Sequence, residues 1–152
     1  MPKLLIFAPC EKVIISGEEI GDGSSSLITI LQSINVEVSE ETDKTTLSGP
    51  MTWYIFSLWQ MQTDDAEKAY EQHFEYVAPS GKLLFNLKTE FSTTKPYQRV
   101  VSKIIGMPLF EHGEYKLTLR LGEVGKPDSL KDIAVYPINI AHVVKLQQNQ
   151  PQ

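Results

Sequence analysis

Strict alternation of apolar and polar side chains over residues 113–121 is the feature that most constrains this chain. The apolar members of that stretch are Tyr115, Leu117, Leu119 and Leu121. A period of two is that of a β-strand with one buried face and one hydrated face. Weaker alternation recurs along the chain, and no long stretch has the period of an amphipathic helix. The pattern therefore predicts an all-β protein.

Turn-forming residues divide the chain into about eight short strands. Their approximate spans are 3–15, 27–38, 51–61, 70–76, 83–87, 97–105, 113–121 and 131–143. We interpret 16–26 as a turn, 39–50 as a loop, Pro79–Lys82 as a hairpin turn and Gly106–Pro108 as the end of a strand. The prediction is a single-domain antiparallel β-sandwich, immunoglobulin-like or C2-like, over residues 1–146, followed by a flexible tail at 147–152.

Three details place individual strands. Residues 51–61 are apolar on both parities, so we expect this strand in the centre of a sheet or changing phase at a bulge. Pro9 and Pro137 lie inside the first and last strands. Since proline has no N–H to donate, both positions predict a sheet edge or a bulge.

Charge and cysteine content exclude several functional classes. The net charge is −5 and no basic run is present, so we expect no nucleic-acid partner. The single cysteine, Cys10, cannot form an internal disulfide. The start of the chain resembles a lipoprotein signal, but its apolar run of about five residues is shorter than the ~7–15 of an export signal. We expect a cytoplasmic protein without a membrane-spanning segment.

Glu71, His73 and Glu75 alternate along one strand and are the first candidate site. Such a group would supply metal ligands or an acid–base pair. Alternating charge on a hydrated strand face explains the same pattern, and it is the interpretation we favour. His112 and His142 are expected at the surface, and no two histidines have metal-ligand spacing. We therefore predict no metal site and no cofactor.

Nucleophilic chemistry has little support in the sequence. Cys10 shares a strand face with Lys12, which would favour a thiolate, but a buried and unreactive cysteine is commoner. The chain has no Gly-x-Ser-x-Gly motif. Gly17, Gly21 and Gly23 lack the Gly-Lys-Ser of a phosphate loop and are interpreted as turn formers. No catalytic residue is predicted, and the chain is not expected to be an enzyme.

Two further clusters would bind a ligand. Acidic residues occur in two loops, at Glu40, Glu41 and Asp43 and at Asp64, Asp65 and Glu67. If both loops lie at one end of the sandwich they would hold Ca²⁺, and otherwise they are hydrated. Aromatic residues crowd the strand 51–61, where Trp53, Tyr54 and Trp59 would form a platform for a glycan or a partner, or else part of the core.

Several segments together resemble an uncharacterised family of small bacterial proteins, a domain of unknown function. They are Pro9-Cys10-Glu11-Lys12-Val13-Ile14, Leu27-Ile28-Thr29-Ile30-Leu31, Pro50-Met51-Thr52-Trp53 with Leu58-Trp59, Gly106-Met107-Pro108-Leu109 with Gly113-Glu114-Tyr115, and Tyr136-Pro137-Ile138. The order of these segments spans most of the chain. The family implies no known activity and no catalytic residue.

The sequence favours a non-enzymatic interaction or structural module that binds a partner protein, or itself, through a sheet face or edge. The candidate surface comprises Trp53, Tyr54, Trp59, Glu71, His73 and Glu75. The alternative is a ligand-binding module for a glycan or Ca²⁺, using the aromatic strand or the acidic loops.

Overall fold

The fold is all-β. A computed structural model describes residues 1–16, 23–44, 47–92 and 94–144. Within these residues the chain forms nine strands, one more than expected. They are β1 (Lys3–Ser16), β2 (Ser24–Ile30), β3 (Ser33–Val38), β4 (Ser48–Gln60), β5 (Ala69–Val77), β6 (Leu83–Ser92), β7 (Tyr97–Pro108), β8 (Gly113–Glu123) and β9 (Lys131–Val144). The tail at 147–152 and most of the turn at 16–26 lie outside the described residues, and β2 already begins at Ser24.

Two packed sheets form the sandwich. The front sheet has the strand order β2-β1-β4-β7, and the back sheet has the order β3-β9-β8-β5-β6. Adjacent strands are antiparallel except β3 and β9, which run parallel. The prediction of a sandwich is confirmed, with this one parallel pair as an exception to its antiparallel pattern. The structure contains no helix long and apolar enough to cross a membrane in the part of the chain that it describes.

The span 27–38, expected to be one strand, contains a switch between the sheets. β2 pairs with β1 in the front sheet, whereas β3 pairs with β9 in the back sheet. Only Leu31 and Gln32 separate them, and Leu31 is buried. The backbone N–H of Leu31 donates to Pro9, while the carbonyl of Gln32 accepts from Asn139. The single-strand prediction was wrong because both halves have strand-like sequence and no turn residue marks the crossing.

Both internal prolines lie where a third strand begins to pair. Pro9 faces Ile55 of β4, and β2 joins the other side of β1 only from Cys10 onwards. Pro137 faces Lys116 of β8, and β3 joins β9 only from Asn139. Each proline therefore precedes the paired residues of the third strand, so its missing N–H interrupts no described strand pair, and the Pro9 carbonyl still accepts from Leu31. Both strands are internal overall, and the edge prediction holds only at the prolines themselves.

β4 is an internal strand of the front sheet, as predicted, and it pairs with β1 and β7. Its register with β7 is regular from Thr52 to Gln60 and shifts between Gly49 and Thr52. Opposite this shift, Gly106 has φ of 82°, a conformation that favours glycine. The strand continues through this bulge and ends at Pro108, three residues beyond the end at Ile105 that the sequence predicted.

The inward residues of both sheets form the core. The alternation that predicted β8 is confirmed, because Tyr115, Leu117, Leu119 and Leu121 are all fully buried. The predicted hairpin of β5 and β6 is also present, with Gly81 in the left-handed region of its turn at φ of 91°. In β5 the even-numbered residues point inward, which leaves the odd-numbered residues on the outer surface.

Most of the strand order is that of an immunoglobulin variable-type domain, with no counterpart of strands C″ and D among the described residues. β1, β4 and β7 take the places of strands A, B and E, and β9-β8-β5-β6 reproduces the order G-F-C-C′. Tyr115 near the start of the F-equivalent strand accepts from the Glu111 backbone N–H at 2.8 Å and donates to its carbonyl at 3.0 Å. This is the tyrosine corner of such domains. Residues 93–96 connect β6 directly to β7, the point in the chain where constant-type domains have strand D.

Candidate functional site: the outer face of the front sheet

The outer face of the back sheet is charged. Its register aligns the outward side chains of β5, β6, β8 and the start of β9. Among them are Glu71, His73, Glu75, Lys88, Glu90, Lys116, Arg120 and Asp132. Exposed apolar residues also occur on β9, and Val135 is one of them. Ion pairs dominate this face, which makes it typical of a hydrated surface.

Glu71, His73 and Glu75 do share this face but are engaged separately. The His73 ring lies 3.2 Å from Glu71, which also pairs with Lys88, whereas Glu75 lies 3.7 Å from Arg120. The Lys88 hydrogen bond is the main cause of a lowered pKa at Glu71, and the same contact raises the pKa of Lys88. The carboxylates therefore serve cross-strand ion pairs, and within the described residues no cluster of three metal-ligating side chains is found.

The outer face of the front sheet is apolar and basic instead. Register defines its outward positions on β1, β4 and β7. They are Lys3, Ile6, Ala8, Cys10, Thr52, Tyr54, Phe56, Leu58, Gln60, Tyr97, Arg99, Val101, Lys103 and Ile105, and none is acidic. We call this set the front face. A sheet face exposed to water normally carries polar side chains, whereas most outward side chains of the front face are apolar. This difference sets it apart from the back sheet.

Part of the front face lies beneath a hairpin of the same chain. Ala8, Cys10 and Phe56 are buried although their register points them outward. Residues 10–16 of β1 pair with β2 rather than with β4, and we call this hairpin the arm. Arg99 of β7 donates to the Ser24 carbonyl at 3.3 Å and contacts the Ser25 hydroxyl at 3.5 Å. These contacts bring the end of the arm to Arg99 on the front face.

The arm and the uncovered part of the front face expose large apolar side chains. On the arm, register aligns Ile28 and Ile30 with Lys12 and Cys10, and Ile14 follows on the same face. Ile14, Ile28 and Ile30 are each more than one-third exposed, and we call them the isoleucine face. On β7, Ile105 is 80% exposed, the highest value of any large apolar side chain described. Apolar area of this kind is typical of a surface that another molecule covers.

Charge on β7 has a single sign. The stretch from Phe91 to Phe110 contains Lys95, Arg99 and Lys103 and no acidic residue. The whole chain, in contrast, has a net charge of −5. The front face is therefore a locally basic surface on an acidic protein.

The two tryptophans do not reach this surface. Trp53 and Trp59 are fully buried, so only Tyr54 of the predicted aromatic platform points outward, and it is half-buried. The Trp59 indole donates to Gln72 at 3.0 Å, and the Ser57 hydroxyl donates to the same amide oxygen at 2.9 Å. The tryptophans are core residues whose N–H groups are hydrogen-bonded, and the expectation that they bind a ligand directly is corrected.

The two acidic loops lie at opposite ends of β4. Residues 39–47 precede this strand and residues 61–68 follow it, and its thirteen residues span about 40 Å at ~3.3 Å per residue. A calcium site shared between them is therefore excluded. Asp65 is fully buried, where it accepts from the Tyr70 hydroxyl and the Gln62 backbone N–H.

Cys10 is fully buried, and burial raises the pKa of its thiol despite a hydrogen bond with the Lys12 backbone. A thiol in this state is a poor nucleophile, as the sequence indicated.

His112 and His142 form a contact that their spacing in the sequence did not predict. Their ring centroids are 6.0 Å apart, and His112 Nδ1 accepts from the His142 backbone N–H at 3.0 Å.

Two hydrogen bonds orient the histidine rings. His142 Nε2 donates to the Leu109 carbonyl, and His112 Nδ1 accepts from the His142 backbone N–H. The pair attaches the β7–β8 connection to β9. No third ligating residue joins them among the described residues.

A shallow hollow lined by Glu67, Ser92, Thr94 and Lys95 lies beside the link between β6 and β7. It is open to solvent and carries both signs of charge, so it lacks the enclosed apolar walls of a typical ligand pocket.

No family model matches the chain, and no curated protein matches it either. The front face is therefore interpreted from its own geometry.

Proposed function

We propose that this protein is a non-enzymatic interaction module that binds a partner protein through its front face and arm. The contrast between the two outer faces carries the proposal. The back sheet satisfies its outward charges with ion pairs such as Lys88–Glu71 and Arg120–Asp132. The front face has only apolar, uncharged polar and basic side chains. Exposed apolar surface with basic residues beside it suits a protein interface.

Two less favoured functions remain as alternatives. Self-association would use the same apolar surface, with a second copy in place of the partner. A glycan-binding module would need an exposed aromatic platform, and Tyr54 and Tyr97 are the residues of the front face that would supply it. We favour a protein partner because isoleucines, which have no ring to stack on a sugar, contribute most of the exposed apolar residues on this side.

The single cysteine supports a reducing compartment, so we also propose a cytoplasmic location. The resemblance to an uncharacterised bacterial family is kept as a proposal about origin. It adds no residue to the site.

Native mass spectrometry of the protein isolated gently from its own cells tests the function. We expect the wild type to carry the mass of a second protein in addition to its own 17.2 kDa. Ile28→Glu and Ile105→Glu introduce charge into the exposed apolar surface and should release that partner. Glu at position 28 faces Lys12 across the strand pair, which favours retention of the fold.

Val135→Glu is the matched control. Val135 is a β-branched strand residue, 55% exposed, on the outer face of the back sheet. This variant should keep the partner, and thermal unfolding should confirm that all variants are folded. A partner lost equally from Val135→Glu, or retained by both the Ile28→Glu and the Ile105→Glu variants, would contradict the proposal. A multiple of the chain mass without another protein would favour self-association.

A further inference from the structure

β7 is an open edge with an extended backbone. It pairs only with β4, and the front sheet ends there within the described residues. From Tyr97 to Ile105 its register against β4 is regular, with no shift. In immunoglobulin constant-type domains strand D lies on this side of strand E. In this protein residues 93–96 lead from β6 into β7, so that position has no described strand.

An open edge exposes backbone N–H and C=O groups that another strand can pair with. Natural proteins commonly protect such edges with charged side chains, especially lysine. Arg99 and Lys103 provide positive charge of this kind on β7. Pairing of β7 with β7 of a second copy would bring positive charges near positive charges, which disfavours self-association at this edge. The same charges favour an acidic strand.

The side chains of β7 have the order that selective strand pairing requires. Its outward positions read Tyr97, Arg99, Val101, Lys103 and Ile105, so apolar and basic residues alternate on one face. Tyr97, Val101 and Ile105 are exposed despite their apolar character. When a peptide adds to a sheet edge, backbone hydrogen bonds give affinity and alternate side chains give specificity.

We infer that β7 accepts an extended, acidic segment of a partner protein, which adds to the front sheet in the position of strand D. The segment would run antiparallel or parallel to β7, with apolar residues beside Val101 and Ile105 and a carboxylate beside Lys103. A second carboxylate would lie near the charge of Arg99, whose guanidinium also donates to the Ser24 carbonyl. This inference rests on the proposed function and specifies the chemistry of the partner.

A short synthetic peptide blocked at both ends, Val-Thr-Glu-Thr-Val-Thr-Glu-Thr-Val, is the probe. Its counterpart has lysine in place of both glutamates. Each peptide is titrated into the isotopically labelled full chain and followed by NMR. We expect the acidic peptide to bind at least about tenfold more tightly than the lysine peptide. Its cross-strand contacts should be with backbone amides of β7.

Lys103→Glu should abolish this preference, because Arg99 still favours the acidic peptide while Glu at position 103 favours the lysine peptide. Lys116→Glu, on the exposed outer face of the back sheet, is the matched control and should leave the preference unchanged. Ile105→Ser should weaken both peptides without altering their order. The inference would be overturned if the wild type bound the two peptides equally, if the peptide contacted another sheet edge, or if Lys103→Glu left the preference unchanged.

The two proposals fail in different ways. If Ile28→Glu releases the natural partner but Lys103→Glu does not, the interaction function stands and the edge inference is wrong. If the arm variant Ile28→Glu and the front-face variant Ile105→Glu both retain the partner, the proposed function is wrong, whether or not the probe binds to β7.

Discussion

Asp65 is a carboxylate without solvent exposure, and three donors compensate for its burial. Burial alone would raise its pKa. The Tyr70 hydroxyl, the Gln62 backbone N–H and the terminal ammonium of Met1, 3.2 Å away, outweigh that effect and lower the pKa. Burial and the hydrogen bond to Asp65 raise the pKa of Tyr70. Asp65 is therefore ionised in the folded protein, and its donors favour the folded state.

The lowered pKa of Asp65 makes stability depend on pH. The unfolded chain binds the proton more readily, so this contribution is complete above the unfolded pKa of about 3.9 and is lost as pH falls through the folded value. Asp65→Asn should therefore lower stability at neutral pH. The difference between wild type and variant should shrink towards pH 3. Urea unfolding from pH 3 to pH 7 measures this difference. A constant difference would contradict the role of the charge.

Leu119 tests the core that alternation predicts. It is fully buried on β8, where it faces Phe74 on one side and Ala134 on the other. Leu119→Ala should lower the free energy of unfolding by about 2–5 kcal/mol, from lost burial and the cavity left behind. Val135→Ala, at an exposed position, should cost less than about 0.5 kcal/mol. A Leu119 variant as stable as the wild type would disprove the strand register.

At this scale the sequence predicts which residues of β8 point inward, because a period of two needs no knowledge of neighbouring strands. It did not predict the environment of Asp65. Its partners come from residues 1, 62 and 70, and nothing in the local pattern of Thr63-Asp64-Asp65 distinguishes a buried carboxylate from a hydrated one. Only the tertiary contacts separate the two.

Among the elements, β7 depends on a glycine. Gly106 has φ of 82°, and its carbonyl accepts from the Trp53 indole at 3.0 Å. An added Cβ would have its nearest contacts at 3.8 Å, so space is available and the cost is one of backbone conformation. Gly106→Ala should destabilise the protein by about 1–2 kcal/mol in a denaturation experiment.

Gly106→Asn is the control for that experiment, because asparagine tolerates the left-handed region better than alanine. It should cost less than the alanine variant. If alanine proved the milder change, strain at φ would not be the cause.

The switch from β2 to β3 shows what element prediction lacks. Alternation places Ile28 and Ile34 on one side of a single strand. In the structure Ile28 is exposed on the arm, whereas Ile34 packs against the core. The crossing at Leu31 follows from pairing with two different strands, β1 and β9. Pairing partners distant in sequence leave no local signal.

For the whole molecule, the fold class follows from strand spacing, but the candidate site does not. Apolar residues such as Ile6 and Ile105 look like core positions in the sequence. Their exposure becomes visible only when β1, β4 and β7 are aligned and the inward side is filled by Trp53 and Trp59. The front face is thus a property of strand order, which composition and periodicity leave open.

The distance between the two acidic loops also excludes a Ca²⁺ site shared between them. A calcium ion binds 6–8 oxygen ligands within about 2.6 Å. The loops at 39–47 and 61–68 are separated by the length of β4, and Asp65 is already hydrogen-bonded in the interior. We therefore expect Ca²⁺ to leave the melting temperature of the chelator-treated protein unchanged within about 1 °C.

A real site would be readily detected by this experiment. Calcium at one hundred times its dissociation constant would stabilise the folded state by about 2.7 kcal/mol. For a chain of this size that corresponds to a rise in melting temperature of roughly 5–10 °C. Mg²⁺ at equal concentration is the control for ionic strength. A rise of this size with Ca²⁺ but not with Mg²⁺ would show that one loop binds the ion by itself. The alternative function, a Ca²⁺-binding module, would then be favoured again.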